Sequence, residues 1–310
     1  MPLDRARLRV HRQAALARTL GLLGGLALLL AALGWIVAGP EGVVWTVLVG
    51  ILVLIFGQRV RGAVLPKLFG GQRLEPAHAP ELHAALADLA RRAGLGFTPA
   101  LYLIPSPRLQ AVAVGHAPDT AIGITYGLLH TLSREESLAV LAHEIAHIRQ
   151  RDLWLMTVAA TASQLARLLS LVGMLLLVVF LVLLPLEGRA ADTPWLLLIF
   201  LQLAPVAAGL IQLSLSRTRE FAADTAAVHM TGDAEALVMA LRKLDFFEHS
   251  DWEEPRRRHW FGLLRTHPTT EERIARLERL LGRPPSARRP ANRSEPPRPG
   301  RVGAMMRFFR

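Results

Sequence analysis

The chain has 310 residues, of which 52% are apolar, and a mean hydropathy of +0.32; it is too apolar for an ordinary soluble fold, which predicts that part of it lies in lipid. It contains no cysteine, which excludes disulfide bonds and thiolate metal sites, so any metal must be held by imidazole and carboxylate groups. The net charge is +11, but the arginines lie at the termini and beside apolar runs without interleaved aromatic residues, which favours an anionic membrane surface and not nucleic acid as the partner.

Four apolar runs approach the length of about 20 residues that a helix needs to cross the hydrocarbon core of a membrane. The runs are residues 19–38, 43–56, 168–186 and 195–216. Short polar turns separate the first run from the second and the third from the fourth, which indicates two helical hairpins. The second run is short, so it spans the membrane only with flanking residues or local thinning. The alternative is that the shorter runs are core helices of a soluble domain.

Basic residues flank the predicted hairpins on one side. Those before the first run and after the second are Arg5, Arg7, Arg9, Arg12, Arg18, Arg59, Arg61, Lys67 and Arg73. Under the positive-inside rule, both termini and the long middle segment are predicted to be cytoplasmic in a multi-pass protein of the cell inner (plasma) membrane. The alternative for the N-terminus is a cleaved signal peptide, because a basic arm precedes an apolar stretch.

The segments between and after the hairpins predict a domain outside the lipid. The stretch PELHAALADLARRAGLG has helical periodicity and ends at glycines. The stretches ALYLIP, LQAVAVG and TAIGITYG are short, apolar and bounded by turn-forming residues, as is typical of strands. The segment after the second hairpin is helical by pattern. The predicted fold is therefore mainly α, with about four transmembrane helices and a cytoplasmic α+β domain that contains a small β-sheet.

The stretch LAVLAHEIAHIRQRD places ionisable side chains inside an apolar helix. Ser133 and Glu136 have the spacing of a capping box, which begins the helix and places His143, Glu144 and His147 in its interior. Positions i and i+4 share a helix face, so the two histidines can converge on one ion. A catalytic zinc site needs a third protein ligand and a water, whose proton the glutamate can accept and later return to a leaving amine. The alternative is a helix whose histidines are exposed or merely hydrogen-bonded.

A third ligand is available downstream in the stretch SRTREFAAD, which carries Glu220 and Asp224 one helical turn apart. One carboxylate can bind the metal, while Asp224 accepts the second ring N–H of a ligating histidine and fixes its tautomer. The residues between His147 and Glu220 are almost wholly the second predicted hairpin, which returns the chain close to where it left. The alternative is a solvated acidic face that pairs with Arg217 and Arg219.

These motifs resemble those of the HtpX-type membrane metalloproteases, relatives of the prenyl-protein CAAX endopeptidases in the glutamate-zincin group. The resemblance extends over residues 19–281 and includes both hairpins, HEIAH followed by RD, SRTREFAAD, and THPTTEERIARL. It implies a zincin-like catalytic domain with one zinc ion per chain, although cobalt or manganese fits similar ligands. By this resemblance the metal ligands are His143, His147 and Glu220, the general base is Glu144, and Asp224 supports a ligating histidine.

The resemblance also assigns a histidine and a strand to the site. The family's THP segment matches residues 266–268, and His267 is expected to steady the oxyanion, the alternative being a cap ahead of the final helix. The family usually reads Asn-Ala-Phe-Ala at a strand edge that binds the substrate backbone by strand addition. The corresponding residues here are Gln110, Ala111, Val112 and Ala113. The departures bear on substrate preference, whereas backbone pairing does not depend on these side chains.

The resemblance implies an endopeptidase that cuts misfolded or damaged membrane proteins at the cytoplasmic face, with protein or peptide substrates and the lipid bilayer as its partners. The alternatives are a processing protease for a defined substrate and a catalytically silent membrane scaffold that retains the metal site. The predicted division is a basic cytoplasmic arm (1–18), a first transmembrane hairpin (19–57), a first catalytic part (58–152), a helix extension with the second hairpin (153–216), a second catalytic part (217–283) and a disordered basic tail (284–310).

Overall fold

The computed structural model describes residues 5–56, 62, 65–186, 188, 195–249 and 269–280. Its helices are α1 (Arg5–Phe56), α2 (Leu65–Phe69), α3 (Pro80–Ala93), α4 (Tyr126–Thr131), α5 (Arg134–Gln150), α6 (Asp152–Leu186), α7 (Trp195–Thr231), α8 (Ala234–His249) and α9 (Thr270–Leu280). Its strands are β1 (Gln72–Arg73), β2 (Ala100–Ile104), β3 (Ala111–His116) and β4 (Asp119–Thr125). His267 and the predicted basic tail lie outside the described residues.

The first helix, α1, reverses direction beyond its middle. Ala38 and Gly39 have non-helical dihedral angles, and the φ of Gly39 is +58°, which glycine adopts without steric cost. A Cβ atom built on Gly34 would lie 2.5 Å from the carbonyl oxygen of Gly42, although residues eight apart on a straight helix are separated by about 12 Å. The two parts of α1 therefore fold back on each other, and the glycine at position 34 permits their close approach.

Three helical segments are long and apolar enough to span a membrane by length and composition. They are Gln13–Ile36, Asp152–Val182 and Trp195–Thr231. The second part of α1, Ala38–Leu52, is apolar but shorter. Three of the four predicted runs thus lie in candidate membrane-spanning helices, and the fourth span stays a prediction.

The helices α1, α6 and α7 pack side by side through small and branched apolar residues. Their buried members are Leu26, Leu33, Leu155, Ala159, Ala162, Ala166, Leu201, Ala204, Ala208 and Leu215. Alanine lets helix backbones approach closely, which strengthens van der Waals packing in lipid. Large apolar side chains such as Leu171, Leu175 and Leu210 are exposed on the outer faces, as expected of a surface that contacts hydrocarbon.

The helices α6 and α7 run antiparallel and are joined by polar contacts at two levels. The hydroxyl of Ser163 donates to the carbonyl of Ala208 at 3.4 Å, and the side-chain amide of Gln202 donates to the carbonyl of Ser170 at 3.0 Å. The residues that follow Ala208 therefore lie beside those that precede Ser163. The hairpin returns the chain next to the start of α6, as the sequence analysis predicted for this segment.

Both helices of this hairpin extend beyond the predicted apolar runs. α6 begins at Asp152 and α7 continues to Thr231, whereas the runs were predicted at 168–186 and 195–216. Neither glycine nor proline occurs in 152–167 or 216–231, so the helical hydrogen bonds continue past the apolar runs. The predicted boundary at 216/217 falls inside α7, which carries both an apolar run and the candidate site residues.

The described strands form one mixed sheet in the order β1-β2-β4-β3. β2 and β4 are parallel, whereas β1 is antiparallel to β2 and β3 is antiparallel to β4. β2, β3 and β4 coincide with the three predicted stretches, and the two-residue β1 is an addition. The mainly α fold with a small β-sheet is thus confirmed, and β3 lies at an edge of the described sheet.

The main apolar core lies between this sheet and helices α3, α5, α7 and α8. Its most buried large members are Leu86, Leu101, Ile122, Ile124, Leu128, Leu141, Ile145 and Leu237. Each such side chain contributes roughly 1.5–3 kcal/mol on burial. Because α5 and α7 share this core, the histidine-bearing helix is fixed against the helix that carries Glu220 and Asp224.

Candidate metal centre

Local structure fixes both ends of the histidine-bearing helix α5. The hydroxyl of Ser133 accepts the N–H of Glu136 at 3.2 Å, and the carboxylate of Glu136 accepts the N–H of Ser133 at 2.7 Å, so the predicted capping box is present. At the other end, Arg151 has a φ of +56°, the left-handed conformation that ends many helices. Between these caps, His143 and His147 share one helix face.

The structure brings His143, His147 and Glu220 together. One potential ligand atom from each lies within 4.8 Å of the others. The two histidine Nε2 atoms are 3.0 Å apart, and the carboxylate oxygens of Glu220 lie 3.4 Å from Nε2 of His143 and 3.5 Å from Nε2 of His147. Glu220 and Asp224 are 4% and 2% exposed, which excludes the alternative of a solvated acidic face.

The spacing of these donor atoms fits a tetrahedral zinc ion. Bonds of about 2.0–2.1 Å at tetrahedral angles place neighbouring donor atoms about 3.3–3.4 Å apart. The two Nε2 atoms are 3.0 Å apart, and each lies 3.4 or 3.5 Å from a different oxygen of Glu220, which is close to that spacing. Two imidazoles and one carboxylate are also a donor set that zinc accepts. The residues present therefore fit the metal that the family resemblance implies.

Each histidine contacts a carboxylate through Nδ1, the ring nitrogen that does not face Glu220. Nδ1 of His143 lies 2.9 Å from Asp224, and Nδ1 of His147 lies 2.8 Å from Asp152. A neutral imidazole that donates its Nδ1–H to a carboxylate keeps its lone pair on Nε2. Both lone pairs are thereby directed toward Glu220. The sequence analysis missed Asp152, although its position directly after the end of α5, in the RD that follows HEIAH, was the available signal.

A buried arginine on α9, Arg273, contacts both carboxylates of α7. Its Nη2 and Nε atoms lie 2.6 and 2.8 Å from the two oxygens of Asp224, and Nη1 lies 3.2 Å from Glu220. Burial disfavours the charged guanidinium, but the neighbouring Asp224 raises the pKa of Arg273 above its usual value. The sequence analysis missed this residue, because the motif THPTTEERIARL does not show which face of its helix meets α7.

Glu144 lies beside the free edge of β3. Its Oε2 atom accepts the N–H of Ala113 at 2.9 Å. At the neighbouring register, the carbonyl of Gln110 accepts the N–H of Thr125 in β4 at 3.0 Å. Because backbone groups alternate sides along an antiparallel strand, Ala111 and Ala113 direct their N–H and C=O groups away from β4. Among the described residues no other strand pairs with this edge of β3, where Ala113 is buried and its N–H is bound by Glu144.

The two departures from the family's strand pattern face away from this edge. The N–H of Gln110 donates to the hydroxyl of Thr125 at 3.0 Å, so this backbone is held by β4. Val112 is paired with Gly123 of β4 and packs with Leu65 and Ile104 in a small cluster on the sheet. The replacement of phenylalanine by valine at position 112 therefore changes the packing of the sheet and not the backbone groups of Ala111 and Ala113 that point away from β4.

We expect the metal affinity of this site to rise with pH. Although burial favours the neutral imidazole, hydrogen bonds to Asp152 and Glu220 raise the pKa of His147 to about 10. A ligating histidine must be neutral, so zinc displaces this proton, and the zinc Kd should fall at least about tenfold per pH unit between pH 6 and 8, because the pKa of His143 is also raised. Competition titrations against a chelator would measure it, and a Kd that does not change with pH would contradict the assignment of His147 as a ligand.

The raised pKa of His147 also predicts that the metal-free, chelator-treated protein becomes less stable as the pH rises. The folded-state pKa of His147, about 10, lies above the unfolded value of about 6.5. Its contribution to the free energy of unfolding is therefore complete below about pH 6.5 and is lost as the pH rises toward 10. The melting temperature without metal should fall over this range, while the zinc-loaded protein changes less.

Comparison with known proteins gives a consistent assignment. The family described as Peptidase family M48 matches residues 76–281. A protease HtpX homolog of Methylibium petroleiphilum is 32% identical over 287 residues, which cover 86% of this chain and 98% of the relative. A protease HtpX homolog of Sulfurovum sp. is 34% identical over 282 residues, with 85% and 98% covered.

Among solved structures, the crystal structure of S. mikatae Ste24p has a TM-score of 0.46 and 20% sequence identity, and the match covers 87% of this chain and 66% of that chain. The family match extends over the metal helix, the carboxylate helix and the candidate membrane-spanning segments of α6 and α7, and the two relatives match 86% and 85% of the chain. The chain therefore belongs to peptidase family M48, as a membrane metalloprotease of the HtpX type.

Proposed function

We propose that the protein is a zinc-dependent endopeptidase that hydrolyses peptide bonds of misfolded or damaged membrane proteins at the cytoplasmic face of the membrane. The observation that carries this proposal is the position of Glu144. It is adjacent to His143 in sequence and contacts the backbone of Ala113 at the open edge of β3. A peptide that pairs with this edge would therefore lie next to Glu144, which adjoins the metal ligand His143.

In this proposal His143, His147 and Glu220 hold the metal, and Asp224 orients His143. When bound, zinc supplies Lewis-acid polarisation of the scissile carbonyl and lowers the pKa of a water molecule. The charge of Arg273, which contacts Asp224 and Glu220, keeps these two carboxylates close together despite their mutual repulsion.

Glu144 acts as the general base. It accepts a proton from the water that attacks the carbonyl carbon, and it then delivers that proton to the amide nitrogen as the C–N bond breaks. The products are a carboxylate and an amine. His267 is proposed to donate a hydrogen bond to the oxyanion that forms during attack.

Substrate binding is assigned to the edge formed by Gln110, Ala111, Val112 and Ala113. An extended peptide adds to this edge through main-chain hydrogen bonds, which are largely independent of side-chain identity. Unfolded segments of many sequences can form such bonds, whereas folded proteins keep their backbone groups paired. This selectivity for unfolded chain suits a quality-control protease better than a processing enzyme with one defined substrate.

The proposed membrane arrangement has four spans, with both termini and the catalytic parts cytoplasmic. The support is the distribution of basic residues around the first hairpin and the return of α7 to the start of α6. The division into an arm, two hairpins, two catalytic parts and a tail is proposed with the boundaries given above, except that α7 continues across 216/217 without a break.

Metal removal tests the proposed activity. The purified protein in detergent is treated with a chelator, and cleavage of an unfolded substrate such as casein is followed before and after zinc is restored. Activity should disappear with the metal and return with one zinc per chain, because the metal and its water supply several kcal/mol of transition-state stabilisation. Casein cleavage that persists in the metal-free protein would reject the metalloprotease mechanism, and stoichiometric zinc without cleavage would favour the silent scaffold.

A further inference from the structure

We propose that Arg219 and Asp152 form a positioning pair through which the second membrane hairpin sets the metal affinity of the site. The inference rests on the proposed metal site. It concerns a carboxylate that the sequence analysis did not consider and an arginine that it considered only as a surface partner of Glu220 and Asp224.

Asp152 uses its two carboxylate oxygens for different partners. Oδ2 lies 2.8 Å from Nδ1 of His147, whereas Oδ1 accepts hydrogen bonds from Nε and Nη2 of Arg219. Nη2 of Arg219 also donates to the side-chain carbonyl of Gln150 at 2.7 Å. Asp152 is 2% exposed and Arg219 is 6% exposed, so water does not compete for these bonds. One carboxylate thus joins a metal ligand to the helix that carries the third ligand.

The pair lies where the hairpin leaves and rejoins the site. Asp152 is the first residue of α6, and Arg219 directly precedes Glu220 on α7. Asp152 precedes Ser163 by as many residues as Arg219 follows Ala208, and Ser163 and Ala208 are themselves hydrogen-bonded. The pair is therefore the last polar contact of the antiparallel α6 and α7. If one helix slides along the other, the pair breaks at the point where His147 is oriented.

The chemistry of the pair suits orientation as well as charge balance. The guanidinium of arginine is a rigid planar fork, and its two donors converge on one oxygen of Asp152 and fix the position of that oxygen. The second oxygen is then held toward His147, which sets the direction of the Nε2 lone pair. Lysine at this position would balance the charge but, with a flexible side chain and one nitrogen, would not hold that oxygen in one position. The expected consequence is a metal affinity that depends on arginine at position 219.

The test is a measurement of zinc Kd on the full-length protein in detergent, by competition with a chromophoric chelator. All variants carry Glu144→Gln, so that the protein does not cleave itself. Arg219→Gln and Asp152→Asn should each raise the zinc Kd about 10- to 100-fold, as groups that orient ligating histidines do. Arg219→Lys should fall between Arg219→Gln and the parent. The combined variant should lose little more than either change alone, because both remove the same interaction.

The matched control is Arg217→Gln, which removes an exposed arginine from the same turn of α7. Its zinc Kd should stay within about twofold of the parent, because exposed charges are screened by salt. If the pair only stabilises the fold, the Arg219 and Asp152 variants would have a lower melting temperature without metal and an unchanged zinc Kd in the folded state. That result would overturn the proposal, as would an equal loss of affinity in Arg217→Gln. If Arg219→Gln does not fold, Arg219→Lys and Asp152→Asn decide by the same criterion.

These outcomes are distinguishable from failure of the proposed function. A parent protein that binds no zinc would reject the metal site itself. A parent that binds one zinc per chain, with unchanged affinity in the Arg219 and Asp152 variants, would reject only the positioning pair.

Discussion

Glu144→Gln is expected to retain one zinc per chain and to lose casein cleavage by about 10²- to 10⁴-fold, the usual contribution of a general base. Glutamine has nearly the same shape as glutamate, and its carbonyl oxygen can still accept the N–H of Ala113, which now lies 2.9 Å from Oε2 of Glu144. It cannot take a proton from water. The variant therefore separates the base from the metal ligands, since it changes proton transfer and leaves His143, His147 and Glu220 in place.

The control for this experiment is Glu135→Gln. Glu135 is exposed in the first turn of the same helix, where it accepts a hydrogen bond from the Ser133 hydroxyl. Its replacement removes one carboxylate from α5 without touching the site, so cleavage should stay near the parent level. Comparable cleavage by Glu144→Gln and Glu135→Gln would show that the base is another group.

The parts of the site that follow from local pattern could be predicted from the sequence. The capping box of Ser133 and Glu136 and the four-residue spacing of the histidines both act within one helix, so they determine where the side chains point. The position of Glu220 near the two histidines could be predicted, because a hairpin of two antiparallel helices returns the chain close to the point where it left. The three strands could be predicted from short apolar stretches between turn-forming residues.

Arg219 and Arg273 could not be placed in the site in this way, whereas Asp152 follows the histidine-bearing helix so closely that its position was an available signal. Their partners are separated from them along the chain or lie on another helix, and their contacts depend on how the helices are rotated about their axes. A charged residue next to a motif is most often solvated, so the sequence alone favoured a solvent-exposed position for Arg219. Only the packing of α7 against α6 and α9 brings Arg219 to Asp152 and Arg273 to Asp224.

The continuity of α6 and α7 has a physical consequence for the whole site. Each helix carries site residues at one end and an apolar run at the other, with no loop between them. A helix transmits tilt and rotation along its length, so changes in the packing of the hairpin reach Asp152 at the start of α6 and Glu220 in α7. A catalytic domain without its hairpins would lose this constraint, because α6 and α7 would no longer hold Asp152 and Glu220 next to each other.

Glu220→Ala is expected to lower the zinc affinity by more than about 100-fold. Replacement of a residue that only orients a metal ligand typically lowers it by about 10- to 100-fold. The substitution leaves two imidazoles, and a zinc site with two protein ligands is incomplete. The fold should survive, because Arg273 keeps both of its bonds to Asp224, at 2.6 and 2.8 Å, when its contact with Glu220 is lost. Metal analysis after gel filtration should find the variant depleted of zinc, and casein cleavage should fall with the zinc content.

Asp224→Asn is the matched comparison, since it changes a carboxylate one turn along the same helix that contacts His143 through Nδ1 and not through Nε2. Its zinc Kd should rise less than that of Glu220→Ala, because the asparagine oxygen still accepts the ring N–H while the three ligands remain. The order of the two losses therefore distinguishes a ligand from a residue that orients one. Unchanged zinc stoichiometry in Glu220→Ala would assign the third ligand elsewhere, with His267, which lies outside the described residues, as the next residue to replace.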